Sequence, residues 1–388
     1  MGKGLTVALE AVERLGPLIR DEAAEAERTG QLTEAVVEGL RSSGLMGLLV
    51  PAELGGLDLT LPESIEVFRA VSEHDASTGW TLAILADGAL FARQLGADGL
   101  AEVAADGTAC IAGSLNPMNA TADPAEDGYR LRGTVSYASG CKHADWLMVS
   151  AWVVRDGERS FVEGIPELVA GMVPMGQAKI LDTWAPTGMR ATGSHDCVVE
   201  DVLVPDHLMF PWGELAFEPG DDVWSRIPIL LQIGMALAAP AVGAARGALD
   251  AFVELAGGKV PAASFEVLAD KPEAHVAAGR AYGLLLAAEA TLASSAEDVW
   301  HQGEEGREFT VNDRAKLRSR VVTAVSLAAD CVDLLHDAAG MNAVKQGAVL
   351  ERRWRDVHTV TQHFILNPSR HPVVGRVVLG RDPGSPVI

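Results

Sequence analysis

The sequence predicts a mainly α-helical protein with a central β domain. Apolar residues recur at helical spacing in the N-terminal third, and long Ala/Leu-rich stretches follow Trp224. Between about Cys110 and Phe210 the sequence changes to short β-type runs separated by glycine turns. We therefore predict an N-terminal helical domain, a central β domain and a C-terminal helical bundle, spanning residues 1–109, 110–215 and 216–388.

Helix-start signals support the helical assignment on both sides of the β domain. Thr60-Leu-Pro-Glu63 is a capping box with proline in the first turn, and it leads into Ile65 and Phe68 at helical spacing. In the C-terminal region, Asp270-Lys-Pro-Glu273 opens one of the Ala/Leu-rich helices. These signals predict one helix after each motif.

Within the β domain, the segment from Gly128 to Trp146 carries the clearest pattern. Apolar and polar residues alternate, with one side made of Tyr129, Leu131, Val135 and Tyr137. This alternation predicts a strand buried on one face. It stops in Ala138-Ser139-Gly140-Cys141, whose small residues let another molecule approach the backbone closely. Because a second strand begins at Trp146, we predict a hairpin whose tight end offers amides and a hydroxyl to a cofactor.

Composition and charge exclude several classes of function. The chain of 388 residues has 53 acidic and 31 basic side chains, and its net charge of -22 argues against nucleic acid or anionic membrane as partners. We expect no membrane span, because no apolar run reaches the required length, and no secretory signal at Met1-Gly-Lys-Gly4. The four scattered cysteines predict a cytoplasmic protein without a metal site or disulfides.

Common nucleotide-binding and metal-binding motifs are absent from the sequence. It contains no GxGxxG after a strand, no GxxxxGK[ST] and no HExxH. Any nucleotide cofactor must therefore bind by other means.

Several short motifs, in a fixed order, give the chain a family resemblance. They are Val50 to Gly56, Ala76-Ser-Thr-Gly-Trp80, Asn116-Pro117, Tyr137 to Trp146, Asp182-Thr-Trp184, Gly188 to Asp196, Val204-Pro205, Gly243 to Ala248 and Gln362-His363. Their order and spacing resemble the acyl-CoA dehydrogenase superfamily, and most closely its two-component, reduced-flavin-dependent (group D) monooxygenases. The resemblance covers roughly Leu32 to Gly380 and implies an N-terminal α bundle, a small β-barrel and a C-terminal four-helix bundle.

The position of a catalytic carboxylate separates dehydrogenases from monooxygenases in this superfamily. The common dehydrogenases have a glutamate base just after an Arg-Asp pair, which is matched here by Arg355-Asp356. No acidic residue stands between Val357 and Arg370, and the earlier helical stretch offers only Asp250. The sequence therefore favours a monooxygenase over an acyl-CoA or acyl-carrier-protein dehydrogenase with bound FAD. A non-catalytic scaffold of the same fold is the second alternative, and the presence of both Ser139 and His363 argues against it.

The resemblance assigns catalytic roles to His363 and Ser139. In the resembling monooxygenases a histidine and a serine stabilise a flavin hydroperoxide, which loses peroxide unless it is hydrogen-bonded in a water-poor pocket. His363 would donate to the peroxide, and Ser139 would support flavin N5. If the helix that begins near Ala348 continues as far as His363, that residue lies on its polar face with Arg352, Asp356 and Thr359. The alternative for His363 is a solvated surface side chain.

The same resemblance implies contacts with flavin and substrate. The implied flavin contacts are Tyr137, Ala138, Ser139, Trp184, Arg246 and Asn342. The implied substrate contacts are Ser114, Asn116 and Asp87. The structural alternatives are core packing for Trp184, a surface position for Arg246, helix capping for Asn342, hydrogen bonding within a loop for Ser114 and Asn116, and solvent exposure for Asp87. The phenol-orienting histidine of related hydroxylases is missing near Asp87, which argues against a simple phenol as substrate.

The resemblance also implies how the protein works and assembles. It implies an oxygenase component that receives FMNH2 or FADH2 from a separate flavin reductase. With O2 it would hydroxylate or N-oxygenate a small organic substrate, such as a natural-product intermediate. It further implies a homotetramer whose C-terminal helices pair across subunits.

Overall fold

A computed structural model of the chain describes residues 2–212, 222–262 and 264–385. The N-terminal region is helical, as predicted. Its helices are α1 (Lys3–Thr29), α2 (Glu34–Ser42), α3 (Leu61–His74), α4 (Ala76–Ala92) and α5 (Gly96–Val103). The predicted capping box precedes α3, where the Thr60 backbone N–H donates to Glu63 Oε2 over 3.1 Å. Helix α4 is buried almost all round and forms the centre of this region.

A nine-stranded sheet follows. Its strands are β1 (Ile111–Ser114), β2 (Ala120–Ala125), β3 (Gly128–Ala138), β4 (Trp146–Arg155), β5 (Glu158–Arg159), β8 (Leu168–Pro174), β9 (Lys179–Leu181), β10 (His195–Pro205) and β11 (Met209–Pro211). The main path runs β11-β8-β4-β2-β3-β10-β9, with β1 and β5 paired to β4. A separate two-stranded ribbon pairs β6 (Phe161–Val162) with β7 (Ile165–Pro166). The predicted fold class, mainly α with a central β domain, is confirmed.

The predicted hairpin between β3 and β4 is wrong, although both strands are present. Strand β2 lies between them, antiparallel to β3 and parallel to β4. The second long neighbour of β3 is β10, so the small residues after β3 lie beside the start of β10. The small residues predicted to face a cofactor therefore lie where two strands distant in sequence, β3 and β10, meet.

The predicted alternation also fails at Tyr137. Leu131 and Val135 are buried as expected, but the Tyr137 side chain is 71% exposed. Tyr137 has a φ of 60°, in the left-handed region that few non-glycine residues adopt. The pairing register with β10 shifts at the same place, between His195 and Cys197. These two irregularities turn Tyr137 outward and leave Ala138 and Ser139 both buried.

The C-terminal region is helical. Its helices are α6 (Val223–Arg226), α7 (Ile229–Gly258), α8 (Pro272–Glu304), α9 (Val311–Ala339), α10 (Val349–Val360) and α11 (His371–Val378). Of these, α7, α8 and α9 are the long helices. The predicted domain limits stay a prediction, and the one between 215 and 216 falls outside the described residues.

Helix α7 corrects the expectation that no segment is long and apolar enough to span a membrane. Ile229–Gly258 meets that criterion by length and mean hydropathy. However, 83% of its most apolar window is buried inside the fold. A helix that is apolar all round is what the centre of a large helical bundle requires.

Helix α10 does not continue through His363. The helix ends at Val360, and His363 lies in the following turn, where its N–H donates to the Val360 carbonyl over 3.0 Å. The polar side of α10 does not face solvent, since Arg352 and Asp356 are only 6% and 2% exposed. It faces the segment that leads into β10, through the contact between Asp356 and Met189.

Candidate active site

A chain of hydrogen bonds runs through Ser139 at the end of β3. The Trp80 indole N–H on α4 donates to Ser139 Oγ over 3.1 Å. Ser139 Oγ lies 2.7 Å from Ser194 Oγ, which lies 2.6 Å from Thr192 Oγ1. The Thr192 hydroxyl donates to the Met189 carbonyl over 2.8 Å. All five residues are buried.

The same Trp80 side chain contacts His363. The two rings meet edge to face, with centroids 5.5 Å apart. Burial and the nearby Arg318 guanidinium lower the pKa of His363 to about 4, so the imidazole is neutral at pH 7. Its Nδ1 accepts the Ile365 N–H over 3.4 Å. The tautomer that satisfies this contact carries its proton on Nε2, which leaves an N–H donor for a ligand.

The Trp80 face of α4 also carries Asp87. Trp80, Ile84 and Asp87 recur at helical spacing, and Ile84 is the one residue of α4 that is partly exposed. Asp87 is only 5% exposed, and its Oδ2 has no hydrogen-bond partner among the described residues. Burial raises the pKa of this carboxyl well above its usual value, so the structure favours a neutral acid.

Asp356 holds the Met189 end of the hydrogen-bond chain through Ser139. Its Oδ1 accepts the Met189 N–H over 2.6 Å, and Met189 has a left-handed φ of 55°. The Met189 carbonyl accepts both the Thr192 hydroxyl and the Trp184 indole N–H. Burial and the nearby Asp75 raise the pKa of Asp356 to about 7. Asp356 is thus enclosed and bonded to backbone, and Asp250 is exposed on α7. Neither is placed as the base of a dehydrogenase.

Tyr137 and Trp184 form an aromatic corner beside Ser139. Their rings meet edge to face, with centroids 6.3 Å apart. The Tyr137 N–H donates to Asp196 Oδ1 over 3.3 Å. His195 Nδ1 accepts the backbone N–H groups of Thr183 and Trp184, each over 3.2 Å. These contacts fix the loop that carries Trp184.

Two predicted flavin contacts, Arg246 and Asn342, form no hydrogen bond with Ser139 in the described part of the chain. Arg246 forms a two-point ion pair with Glu289 on α8, at 3.1 and 2.7 Å, and its guanidinium lies 5.9 Å from the Tyr282 ring. Asn342 lies in a single turn after α9, and it does not cap α10, whose N-cap is Ala348. Within the described residues, no hydrogen bond joins Arg246 or Asn342 to the Ser139 chain. Their role at a flavin stays a prediction.

Two predicted substrate contacts are bonded within their own loop. Ser114 Oγ accepts the Asn116 N–H over 3.4 Å, and Asn116 Oδ1 accepts the Met118 N–H over 3.1 Å. The loop-bonding alternative is therefore present in the structure. Strand β1, which ends at Ser114, packs against α4 where Ile111 meets Gly88, next to Asp87. A substrate role for Ser114 and Asn116 stays a prediction.

Trp80, Thr192 and Ser194 received no role from the sequence. Each lies in a quoted motif, Ala76 to Trp80 or Gly188 to Asp196. These motifs were the available signal for a role of the three residues. Residue types alone do not reveal that the segments of Trp80, Ser139 and Ser194 meet at the Ser139 hydroxyl.

Comparison with known proteins decides the family. The profile described as "Acyl-CoA dehydrogenase, N-terminal domain" matches residues 12–104, and "Acyl-CoA dehydrogenase, C-terminal domain" matches residues 235–368. The chain is 30% identical to the flavin-dependent monooxygenase oxygenase subunit HsaA of Mycobacterium tuberculosis, over 98% of this chain and 97% of the relative. It belongs to the acyl-CoA dehydrogenase superfamily. Within that superfamily it is a flavin-dependent monooxygenase, as predicted.

Two further similarities concern the cofactor. The FADH2-dependent resorcinol hydroxylase oxygenase component of Rhizobium sp. is 30% identical, over 96% of this chain and 94% of the relative. The structure of XiaF from Streptomyces sp., solved with FADH2 and glycerol, has a TM-score of 0.91 and 29% identity, over 99% of this chain and 98% of that one. The predicted dependence on a reduced flavin agrees with both.

Proposed function

We propose that this protein is the oxygenase component of a two-component monooxygenase. It receives FMNH2 or FADH2 from a separate reductase and transfers one atom of O2 to a small organic substrate. The observation that carries the proposal is the Trp80 side chain, which contacts both Ser139 and His363. A bound reduced flavin supplies the electrons that activate O2.

The residues around Ser139 suit a reduced flavin. The small residues Ala138 to Cys141 allow close approach to the backbone, and Tyr137 and Trp184 supply an aromatic edge. His363 would present a neutral N–H to the reacting oxygen. A neutral donor stabilises developing negative charge without a stronger acid that would favour loss of hydrogen peroxide. Ser139 and its hydrogen-bond partners are buried, which limits access of water to this hydroxyl.

For the substrate we propose a contact with Asp87. As a neutral acid, the Asp87 carboxyl would donate a hydrogen bond to a carbonyl, hydroxyl or imine of the substrate. Its burial without a partner for Oδ2 supports this role, because an unmade hydrogen bond of a buried polar group costs about 1–3 kcal/mol. Ser114 and Asn116 would contribute from the loop after β1.

The proposal includes assembly and location. We propose a homotetramer that pairs C-terminal helices, supported by exposed apolar side chains on α8: Val276 is 60%, Tyr282 48% and Leu286 44% exposed. We propose a cytoplasmic location, supported by four cysteines that are all free thiols in the structure. Size-exclusion chromatography with light scattering tests the tetramer.

The function is tested by stopped-flow absorbance. Protein mixed with anaerobically reduced FMN or FAD is combined with oxygenated buffer, and the return of oxidised-flavin absorbance is followed. We expect it to be at least tenfold slower than for free flavin, because His363 and Ser139 retain the oxygen at the site. The preferred flavin is the one with the slower return.

The same measurement is made with His363→Ala, which should reoxidise faster than wild type because the proposed donor is lost. His358→Ala on α10 is its control and should behave like wild type. His358 pairs with Asp333 and takes no part in the hydrogen-bond chain through Ser139. Reoxidation as fast as for free flavin, together with reduction of an FAD-loaded sample by an acyl thioester, would instead indicate the dehydrogenase.

A further inference from the structure

We propose that Thr192 and Ser194 are positioning residues that fix the direction of the Ser139 proton. They leave Ser139 able only to accept a hydrogen bond from flavin N5, so that the site favours the reduced flavin over the oxidised one. This inference rests on the proposed function and deepens it.

The two ends of the hydrogen-bond chain determine its direction. The Trp80 indole N–H can only donate, and the Met189 carbonyl can only accept. Between them stand the hydroxyls of Ser139, Ser194 and Thr192, each with one proton. Four contacts of 2.6 to 3.1 Å link these five groups. Every contact has a proton only if each hydroxyl donates toward Met189.

The reverse direction leaves one contact without a proton. If Ser139 turned its proton away from Ser194, then Ser194 would donate to Ser139 and Thr192 would donate to Ser194. The Thr192 oxygen and the Met189 carbonyl oxygen would then face each other at 2.8 Å with no hydrogen between them. In a buried site, where the local dielectric is low, such a contact is unfavourable.

Burial prevents water from relaxing this constraint. Ser139, Ser194 and Thr192 are 6%, 5% and 2% exposed. The acceptor end is also fixed, since Asp356 Oδ1 accepts the N–H of Met189 itself. The Gly140 N–H donates to the Thr192 carbonyl over 2.7 Å, which ties the Ser139 segment to the Thr192 segment through backbone as well.

Ser139 Oγ has one hydrogen-bonding site left for a ligand. A serine hydroxyl has one proton and two acceptor sites. The proton is committed to Ser194 and one acceptor site to Trp80, so a single lone pair is left for a ligand. N5 of a reduced flavin carries a proton, whereas N5 of an oxidised flavin presents only a lone pair. Ser139 therefore stabilises the first and repels the second.

The experiment compares Thr192→Val with Thr192→Ser. Valine removes the hydroxyl with little change of shape, so Ser194 can donate to Ser139 and the Ser139 proton turns toward the ligand. Serine keeps the hydroxyl and is the matched control. Dissociation constants for FMN and FAD, oxidised and reduced, are measured by anaerobic titration. Ser194→Ala provides a second variant, because it removes the acceptor of the Ser139 proton directly.

We expect Thr192→Val and Ser194→Ala to lower the preference for reduced flavin, the ratio of oxidised to reduced dissociation constants, by about tenfold. By linkage, the midpoint potential of bound flavin falls by about 30 mV. Thr192→Ser stays within about twofold of wild type.

Two results would overturn the inference in distinguishable ways. If wild type prefers the reduced flavin and both hydroxyl deletions keep that preference within twofold, the proton direction is not the cause, and the proposed function stands. If wild type binds neither redox form, the proposed function fails as well.

Discussion

The indole nitrogen of Trp80 lies 3.1 Å from Ser139 Oγ, while the same indole ring meets His363 edge to face. Trp80 belongs to the N-terminal helices, Ser139 to the β domain and His363 to the C-terminal bundle. One side chain therefore fixes the relative position of the two predicted catalytic residues. Its placement on a helix that is buried almost all round makes this position rigid.

Trp80→Phe separates the two contacts. Phenylalanine keeps an aromatic ring near His363 but cannot donate to Ser139. We expect the fraction of reduced flavin consumed as hydrogen peroxide to rise severalfold, because Ser139 loses one of the two bonds that orient it. A peroxide assay during turnover with a reductase measures this. Trp300→Phe, which loses a bond to Glu304 on the surface, should leave the fraction unchanged; an equal rise there would point to general destabilisation.

His363 should remain neutral well below the usual histidine pKa. Burial and Arg318 lower its pKa to about 4, so its ring resonances in an NMR titration should not shift between pH 8 and about pH 5. A titration midpoint near 6.5 would contradict the effect of burial and Arg318 on His363.

The same pKa shift affects stability. Between about pH 4 and 6.5 the unfolded chain binds the His363 proton and the folded chain does not, so stability rises with pH across this window and is lost as pH falls. His363→Gln should remove up to about one proton from the pH slope of the free energy of unfolding. Urea unfolding at several pH values measures it, and an unchanged slope would contradict the assignment.

Local patterns in the sequence identified most of the fold. The alternation in β3, the capping box before α3 and the glycine-punctuated β region all correspond to real elements. The hairpin was wrong because β2 pairs with both β3 and β4, and pairing partners depend on contacts distant in sequence. Tyr137 turned outward because of a left-handed backbone that no residue type signalled.

The candidate site was less predictable than the fold. Ser139 and His363 came from motif positions, but helix α10 ends three residues before His363. Trp80 is 59 positions from Ser139 in the sequence, and only the folded chain brings them together. The hydrogen-bond chain consists of four contacts between residues of three segments, and no spacing of residue types encodes these contacts.

Arg246 can be tested as a structural or a flavin-binding residue. Its ion pair with Glu289 is two-pointed and partly buried, at 24% and 20% side-chain exposure. We expect Arg246→Ala to lower the free energy of unfolding by about 1–2 kcal/mol, and Glu289→Gln to lose a similar amount. A double-mutant cycle should show that the two losses are not additive. A tenfold weaker affinity for reduced flavin in Arg246→Ala, absent in Glu289→Gln, would instead support the predicted flavin contact.

Asp87 provides a test in which stability and function change in opposite directions. A buried carboxyl without a partner for Oδ2 costs stability, and leucine has the same number of side-chain heavy atoms without the polar group. We expect Asp87→Leu to raise the free energy of unfolding by about 1–3 kcal/mol at pH 7, measured by urea unfolding. Asp250→Leu, at an exposed position on α7, is the matched control and should bring no such gain.

The gain from Asp87→Leu should also depend on pH. The folded-state pKa of Asp87 is raised, so above about pH 4 the folded wild type keeps a proton that the unfolded chain releases, and wild-type stability falls as pH rises. The advantage of Asp87→Leu should therefore be larger at pH 8 than at pH 5. In reductase-coupled assays on a panel of hydroxylated and carbonyl-bearing aromatic compounds, this more stable variant should lose substrate-dependent product formation. A less stable variant with full product formation would show that Asp87 is a structural residue and that the substrate is held elsewhere.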